Sequence, residues 1–412
     1  MLIVLCRSVL LVIRSALLCP IVAIRFWLYR RKWGEAEAEP QFVMASILQW
    51  YEVWQRPQHF ASNLAKKYTT CYLSPVPIHH TVGEPRLWRE RRVKRIAERL
   101  TVSVPPVLPG ENKIGLIRAV NNLLWISYIK ELVMRLELVR PILWINFPFN
   151  PGLLDAMPFR SVVYDVMDEF VDFSFAPKNA EKREKRILDA ASFVSTGTYA
   201  LYEKKKALHP NVEFVPCGVD FQLFNAVVDK TPPPPSDLPK TRGPVFGYFG
   251  SLNERIDAGL IEDVAKRRPA WTFVMLGPIQ RSYNGRRDLR NVHYLGLKPY
   301  RQLPAYLAHF DVCIMPYRLS EATSQINPVK LLEYFAAGKP VLTARIPDVL
   351  RFYESHVWVF DTSDSFISQA ETVMRMRQSA QFSPAPLIEI AKKRSWEMMS
   401  EQMIERILKA VE

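Results

Sequence analysis

Cysteine and glycine are scarce in this chain, and their scarcity excludes several classes of protein. Only five cysteines occur among 412 residues, none of them in a CxxC pair, and no histidine cluster accompanies them. A zinc ribbon or a dense disulfide framework is therefore excluded, and a reducing compartment fits best. Hydrophobic residues make up 49% of the chain and charged residues 23%, which excludes a disordered chain, a collagen-like fibre and a polytopic membrane protein.

Acidic residues are too few to balance the basic ones. Lysine and arginine number 55 against 41 aspartates and glutamates, for a net charge of +14 at pH 7. Such a balance suits nucleic acid, anionic lipid or phosphorylated small molecules. No basic motif is interleaved with aromatic residues, so nucleic acid is not expected as a partner. Seven glycines lie within residues 1–240 and eight within 243–338, so ligand-binding turns are expected in the second stretch.

A long uninterrupted apolar run is also missing, although residues 1–33 come close to one. Arg7, Arg14 and Arg25 interrupt this segment, and their spacing returns each of them to within roughly 20° of one helical face. An arginine at the centre of a bilayer costs several kcal/mol. We therefore expect a membrane-associating helix that lies in an anionic membrane surface. A spanning signal anchor, or a leader that precedes a true start at Met44, remains as an alternative.

Two blocks of alternating strand and helix patterns follow. The first covers residues 41–224 and includes a basic segment, residues 86–100, that we expect to be helical; the second covers residues 244–386. This alternation predicts two Rossmann-like, doubly wound α/β domains with parallel sheets. The proline-rich residues 225–243 predict a linker between the two domains. Residues 387–412 are expected to form a helical region.

Three predicted strands of the second domain end in turns that suit a ligand. In an open α/β sheet the carboxyl ends of the strands form the ligand crevice, so these turns are expected to lie together. The residues at the three strand ends are Gly250 and Ser251, Gly277 and Pro278, and Tyr317 and Arg318.

The segment INPVKLLEYFAAGKPVL predicts an anion site at the start of a helix. Asn327 is a good N-cap and Pro328 suits the first helical turn. Free backbone N–H groups at that end bind anions, and Lys330 adds a full charge. Glu333 lies one turn further on nearly the same face, where it would meet the ribose hydroxyls of a nucleotide. The alternative is a capped helix whose apolar residues pack into a core.

Polar residues at two strand ends of the first domain are candidates to bind a diphosphate or to act on an acceptor hydroxyl. Arg56 and His59 follow the first predicted strand, where Arg56 would reach a diphosphate and His59 would face the sugar or the acceptor. Asp165, Asp168 and Glu169 come at the end of another strand, and a carboxylate there would deprotonate an acceptor hydroxyl. Asp168 is preferred, because Asp165 alternates with the apolar run. Capping, packing or a structural salt bridge is the alternative for both groups.

These residues carry a resemblance to a known family. The second half resembles the nucleotide-sugar-binding half of GT-B glycosyltransferases, above all the retaining family-four type, in GYFGSLNERIDAGLIEDVAKRRPAWTFVMLGP, NVHYLG, LPAYLAHFDVCIMPY and NPVKLLEYFAAGKPVL. The first half resembles, more weakly, a bacterial subgroup associated with polysaccharides, in VWQRPQHFASNLAK, VVYDVMDEF and FVPCGVDFQLF.

The resemblance implies a GT-B fold, with two Rossmann-like domains facing a cleft, and a hexosyltransferase activity. A nucleoside-diphosphate sugar would be the donor, and a lipid-linked or polysaccharide acceptor would receive the sugar. No cofactor and no metal would be required, because positive charge and helix dipoles stabilise the leaving diphosphate. The protein would work at the cytoplasmic face of the bacterial inner membrane. A nucleotide-sugar epimerase on the same fold, or a non-catalytic subunit of a polysaccharide assembly complex, remains as an alternative.

The resemblance also assigns residues to the donor. Glu333 would bind the ribose, and Asn327, Pro328 and Lys330 would line the phosphate end. Bordering the base would be a set of residues at two other strands: Gly277, Pro278, and the region of His293 and Tyr294.

The sequence departs from the family pattern at three positions. Gln325 stands where the family has the first of two glutamates, Ser251 where it has an arginine, and Asp257 near the position of its lysine. Arg255 and Arg318 are candidates to supply the missing charge. Whether transfer retains or inverts the configuration of the sugar therefore stays open.

Overall fold

The computed structural model divides the chain into two compact units. Unit 1 comprises Met1–Val215 and Ser400–Glu412, and unit 2 comprises Pro216–Met399. The structure describes residues 19–34, 39–51, 54–74, 76–77, 93–107, 114–148, 150–173, 176–320, 323 and 326–411. Arg7, Arg14, Gln325 and much of the predicted basic helix therefore lie outside the described residues.

Unit 1 is built on a sheet of eight strands that is parallel except at one edge. Its helices are α1 (residues 19–30), α2 (Arg56–Leu64), α3 (Gly115–Arg135), α4 (Ala180–Ala190) and α5 (Tyr199–Lys206). Its strands are β1 (Phe42–Ala45), β2 (Thr70–Leu73), β3 (Val76–Pro77), β4 (Val93–Ala97), β5 (Leu100–Ser103), β6 (Pro106–Val107), β7 (Ile142–Ile145), β8 (Val162–Val166), β9 (Phe193–Thr196) and β10 (Val212–Phe214). The order is β10-β9-β8-β7-β1-β2-β5-β4, and β3 pairs with β6 separately.

The central strands of unit 1 are short and wholly buried. All four residues of β1, of β2 and of β7 are buried, which is typical of a parallel sheet covered by helices on both faces. At the edge, β4 pairs antiparallel with β5 and its residues are largely exposed. The predicted basic helix over residues 86–100 is therefore wrong from Val93 onward, because pairing with β5 outweighs the helical preference of the charged residues.

Unit 2 contains a second sheet of six strands, all parallel. The strands are β11 (Val245–Phe249), β12 (Thr272–Leu276), β13 (Val292–Gly296), β14 (Val312–Met315), β15 (Val341–Ala344) and β16 (Trp358–Phe360), in the order β13-β12-β11-β14-β15-β16. The helices are α6 (Phe221–Asp229), α7 (Ala258–Arg267), α8 (Leu303–Leu307), α9 (Val329–Ala336), α10 (Pro347–Tyr353), α11 (Ser363–Gln378) and α12 (Ala385–Lys393). The last helix, α13 (Trp396–Val411), begins in unit 2 and belongs to unit 1 from Ser400 onward. Five of the strands are predicted from the sequence; the three residues of β16 are too short a run for a periodic signal.

The residues of the predicted linker, 225–243, fall within unit 2. The first of them belong to α6. The carboxylate of Asp237 accepts a hydrogen bond of 2.6 Å from the Tyr306 hydroxyl and one of 2.5 Å from Lys298. Prolines exclude helix and sheet hydrogen bonds, but they do not prevent a segment from being held by its side chains.

Helix α1 packs on unit 1 through one face. Val22 and Phe26 are buried, and the Tyr29 hydroxyl donates to the backbone oxygen of Leu138 at 3.1 Å. Cys19 lies 2.7 Å from Ser127 of α3, whereas Tyr29 reaches Leu138 beyond the end of α3, so the two helices run in the same direction. Among the helices that the structure describes, none combines the length and the apolar character needed to cross a bilayer.

Candidate functional site

Two strand-end turns of unit 2 lie in direct contact, as the sequence predicts. Gly250 and Gly277 adopt φ angles of +143° and +133°, which side chains rarely allow. The Gly250 amide donates to the backbone oxygen of Leu276 at 2.9 Å. A Cβ atom at Gly277 would lie 2.0 Å from the Gly250 oxygen, so only glycine fits there. The two glycines thus form one narrow backbone edge at the end of β11 and β12.

The Lys330 ammonium lies beside this edge. A Cβ atom at Gly250 would be 3.0 Å from Lys330 Nζ. Nζ donates to the hydroxyls of Tyr317, at 2.5 Å, and Tyr248, at 3.5 Å. Burial raises the pKa of Tyr248, so its hydroxyl stays neutral. Since no carboxylate among the described residues pairs with Lys330, its positive charge remains available to an anion.

The start of α9 differs from the prediction. Asn327 does not cap the helix; Pro328 occupies the N-cap position, and no side chain caps the first turn. The Asn327 carboxamide instead donates to Asp348 at 3.0 Å, which fixes the loop that enters the helix. A helix leaves its first N–H groups without partners inside the helix. The first turn of α9, which carries Lys330, therefore still offers donors and a positive dipole end.

Glu333 is a buried carboxyl one turn beyond Lys330. Only 6% of its surface is exposed, and Oε1 accepts a hydrogen bond of 2.8 Å from the Tyr300 hydroxyl. Burial raises the pKa of Glu333 to about 7, although the Tyr300 hydrogen bond and the Lys330 charge both act to lower it. The carboxyl is thus held in one place by a neutral hydroxyl and not neutralised by an ion pair within the described residues.

Two arginines stand on adjacent loops after β11 and β14. The Arg318 amide donates to the Arg255 backbone oxygen at 2.7 Å, which joins the two loops. Both side chains are exposed, and neither forms an ion pair with a residue that the structure describes. Asp257, on the loop of Arg255, caps α7 by accepting from the Leu260 amide at 3.1 Å. Asp257, which stands near the position of the family's lysine, therefore has a structural role as the cap of α7.

The remaining predicted donor residues border the turns. The Ser251 hydroxyl accepts from the Gln280 carboxamide at 2.8 Å, and Pro278 is exposed beside Gly277. The Tyr294 hydroxyl bonds to that of Tyr283 at 2.9 Å and donates to a backbone oxygen. Tyr294 therefore holds the loop after β12 through its hydroxyl, and its place beside the base stays a prediction.

Two tyrosines of the site escaped sequence reasoning. Tyr248 lies within the apolar strand β11, two residues before Gly250, and holds Lys330. Tyr300 comes from a separate segment and reaches Glu333 across 33 residues. A tyrosine in a buried strand requires a hydrogen-bond partner, which is the signal that could have identified Tyr248. No local signal identifies Tyr300.

In unit 1 the prediction for Arg56 is wrong. Its guanidinium is buried and pairs with Asp165 at 2.7 Å, and Nη1 donates to the Val215 oxygen at 2.6 Å. Asn146 and Ser195 donate two further hydrogen bonds to the same carboxylate, at 3.0 and 2.6 Å. Arg56 therefore ties α2 to β8 and to the residue after β10, in a buried salt bridge and not in a position open to a diphosphate.

His59 and Asp168 have different surroundings from Arg56. His59 is half-buried against the ring of Trp54, and burial lowers its pKa to about 4, so its imidazole is neutral at pH 7. Asp168 is exposed at the end of β8, and its carboxylate accepts from the Glu169 amide at 3.2 Å. The preference for Asp168 over the buried Asp165 agrees with this exposure, but its catalytic role stays a prediction. Among the described residues no cluster of three histidine, cysteine or acidic side chains could hold a metal ion.

Comparisons with known proteins point to one family. Residues 243–376 match the family model of Glycosyl transferases group 1. A relative from Bacillus subtilis (strain 168), named "Putative teichuronic acid biosynthesis glycosyltransferase TuaH", is 29% identical over 252 residues. That match covers 56% of this chain and 63% of the relative, which is less than two thirds of its length. The sequence resemblance to glycosyltransferases is thereby confirmed.

Solved structures share the fold of the whole chain. Sucrose-phosphate synthase from Thermosynechococcus elongatus has a TM-score of 0.65 at 14% identity, over 91% of this chain and 100% of that structure. HepE of Anabaena in complex with UDP-glucose has a TM-score of 0.60 at 14% identity, over 90% of this chain and 100% of that structure. The chain therefore has the α/β GT-B fold with two parallel-sheet domains.

Proposed function

We propose that this protein is a glycosyltransferase that moves a sugar from a nucleoside diphosphate to an acceptor. One observation carries the proposal: the Lys330 ammonium lies beside the Gly250 turn, with the Glu333 carboxyl one helical turn further on. This group lies inside the stretch that matches the family model. The arrangement offers a cation and helix N–H groups to a diphosphate, and a fixed carboxyl to ribose hydroxyls.

Each part of the site has a task in the proposed reaction. When the bond between the sugar and the diphosphate breaks, negative charge grows on the departing phosphate oxygen. Lys330 and the first turn of α9 stabilise that charge, and Arg255 and Arg318 add exposed positive charge on neighbouring loops. No cofactor is needed for this step, since the protein's own cations act on the leaving group. Asp168 is the proposed base for the acceptor hydroxyl.

Uridine nucleotides are the first donors to test. Two of the similar structures, HepE of Anabaena and a trehalose-6-phosphate protein from E. coli, carry UDP-glucose and UDP-2-fluoro glucose. A thermal-shift screen of nucleoside diphosphates would find the preferred base, because a ligand stabilises the protein by RT ln(1 + [L]/Kd). Product analysis with and without acceptor then separates transfer from epimerisation.

The decisive variant is Lys330→Met, which keeps the volume of the side chain and removes its charge. We expect it to weaken binding of the preferred nucleoside diphosphate by about tenfold or more, because a charge-assisted contact to phosphate is lost. Lys266→Met, an exposed lysine on α7, is the matched control and should bind as the unmodified protein does. Equal affinities in all three proteins would refute the donor site.

We further propose a lipid-linked or polysaccharide acceptor, reached at the cytoplasmic face of the bacterial inner membrane. The face of α1 opposite its buried side is apolar and exposed, with Ile24 at 61% and Trp27 at 51% exposure. Arg25, Arg30 and Arg31 are exposed around it. An apolar face rimmed by cations suits the headgroup region of an anionic bilayer.

Vesicle flotation tests this membrane contact. The double variant Ile24→Ser with Trp27→Ser should reduce binding to vesicles of phosphatidylglycerol severalfold, since two large apolar side chains no longer enter the bilayer. Leu208→Ser, an equally exposed apolar residue elsewhere in unit 1, is the control. If both proteins float as the unmodified chain does, α1 is not the membrane contact.

A further inference from the structure

A polar cavity of about 290 Å³ lies in unit 1, and all its described lining residues belong to that unit. It opens between the first half of α3, the 3-10 helix Pro151–Asp155 and the first half of α4. Three arginines and three asparagines supply most of its described lining: Arg118, Arg183, Arg186, Asn122, Asn150 and Asn179. No acidic residue is among the described lining residues, which distinguishes the cavity from an ordinary charged surface.

The positive charge of this cavity is only partly neutralised. Arg186 pairs with Asp155 at 2.6 Å, outside the lining itself. The half-buried Arg118 makes no ion pair with a residue that the structure describes. Arg183 is only 5% exposed and places a second guanidinium in the wall. Because no described carboxylate neutralises Arg118 and no acid is in the described lining, the cavity favours a negatively charged guest.

The walls of the cavity are fixed by close packing. A Cβ atom at Gly152 would lie 2.9 Å from Asn122 Oδ1, so the 3-10 helix lies directly against this side chain of α3. Asn150 is 8% exposed, and its Oδ1 has no hydrogen-bond partner among the described residues. An amide oxygen only accepts hydrogen bonds, so a hydroxyl group of the ligand, and not a phosphate oxygen, would satisfy it.

A second cavity of unit 1 serves as a comparison, because its positive and negative charges are balanced. It measures about 400 Å³, and Glu213, Glu405, Arg406 and Lys409 are among its lining residues. Here each cation has a carboxylate: Arg406 contacts Glu213 at 2.9 Å and Lys409 contacts Glu405 at 2.7 Å. Charge in this second cavity is balanced, so it offers no comparable reason to bind an anion.

We propose that the arginine-lined cavity binds a phosphoryl group. Guanidinium groups match phosphate oxygens in pairs, and the asparagine carboxamides add neutral donors. The phosphate belongs either to a soluble sugar phosphate or to a lipid. A lipid is a candidate because α3 also carries two exposed apolar side chains, Leu116 at 75% and Leu123 at 54% exposure. Assignment of that phosphate to an acceptor rests on the proposed transferase function; the binding itself does not.

Titration of inorganic pyrophosphate into Arg118→Ala tests the site. Measurement in a Lys330→Met background keeps the donor site from contributing. We expect affinity to fall by about tenfold or more, and Arg118→Lys to recover part of it, because the charge returns without the paired geometry. Arg135→Ala, an exposed arginine near the other end of α3, is the matched control and should leave affinity unchanged. Circular dichroism verifies that all variants are folded.

Two further arms identify the source of the phosphate. If Arg118→Ala weakens binding of glucose 1-phosphate but not of phosphatidylglycerol vesicles, the ligand is soluble; the reverse result assigns a lipid phosphate. Identical pyrophosphate affinity in Arg118→Ala, Arg135→Ala and the parent overturns the proposal. UDP binding to Arg118→Ala with Lys330 restored reports on the donor site while the cavity is disabled, so failure of the donor site and failure of this cavity are distinguishable.

Discussion

Buried charges are treated differently in the two units. In unit 1, Asp165 faces Arg56, and the buried Lys205 contacts Glu169 at 2.9 Å and Glu184 at 2.8 Å. In unit 2, the ammonium of Lys330 and the carboxyl of Glu333 meet tyrosine hydroxyls only, within the described residues. Paired charges hold a structure together, whereas charges held by neutral hydroxyls remain available to a ligand. The partner of a buried charge therefore indicates its role better than its motif does.

The largest expected effect comes from breaking the pair in unit 1. Asp165→Ala leaves the Arg56 guanidinium buried without its carboxylate, and removal of one partner of a buried pair costs about 3–5 kcal/mol of unfolding free energy. Urea denaturation measures this loss. The control is Asp189→Ala, since Asp189 forms an exposed pair with Lys185 at 2.7 Å and should cost less than about 1 kcal/mol. Similar losses for both variants would contradict the distinction between structural and available charges.

The next largest expected effect is a pH-dependent change in the free energy of unfolding, which is caused by Glu333. Its folded pKa of about 7 lies above the unfolded value of about 4.5, so the folded state binds more protons between these pH values. Stability that is present at low pH is therefore lost as pH rises toward and through 7. Glu333→Gln cannot ionise and escapes this loss, so its advantage in unfolding free energy should grow by about 2 kcal/mol from pH 5 to pH 8.

Chemical denaturation of both proteins at several pH values measures that difference. The conservative variant Glu333→Asp, which keeps a carboxyl, is the matched control and should retain the downward trend with pH. A constant difference between Glu333→Gln and the parent across this range would mean that the carboxyl is already charged or neutral throughout.

Sequence reasoning reached further in unit 2 than in unit 1, for a physical reason. The strand-end turns at Gly250 and Gly277, and the spacing of Lys330 and Glu333 on α9, depend on contiguous residues and can therefore be recognised in the sequence, although the predicted N-cap of α9 is wrong. The role of Arg56 depends on Asp165, 109 residues away, and a motif does not encode that partner. The edge strand β4 likewise depends on pairing with β5, although its charged residues favour helix. Local signals fix elements and turns; distant partners decide what a charged side chain does.

A variant of Lys330 tests the comparison between the two units by ligand binding as well as by stability. Lys330→Met should lower nucleoside-diphosphate affinity by about tenfold, or about 1.4 kcal/mol, while its effect on unfolding stays within about 1.5 kcal/mol. The reason is that a half-buried ammonium without a carboxylate contributes little to stability, and methionine fills a similar volume. Isothermal titration and urea denaturation on the same preparation provide both numbers. A loss of stability as large as that of Asp165→Ala would place Lys330 with the structural charges of unit 1.

The smallest effect concerns Asp257, which stands near the family's lysine position. Because its carboxylate caps α7 through the Leu260 amide, Asp257→Ala should cost about 1 kcal/mol of unfolding free energy, whereas Asp257→Asn keeps an accepting oxygen and should cost far less. Nucleoside-diphosphate affinity should be unchanged in both variants, since the cap faces its own helix. If Asp257→Ala instead tightened nucleotide binding by several fold, the carboxylate would be repelling the diphosphate. Asp257 would then belong with Lys330 and Glu333 among the charges that act on the ligand. A charge with a structural partner in unit 2 would then also act on the ligand, so a partner alone would not identify a structural charge.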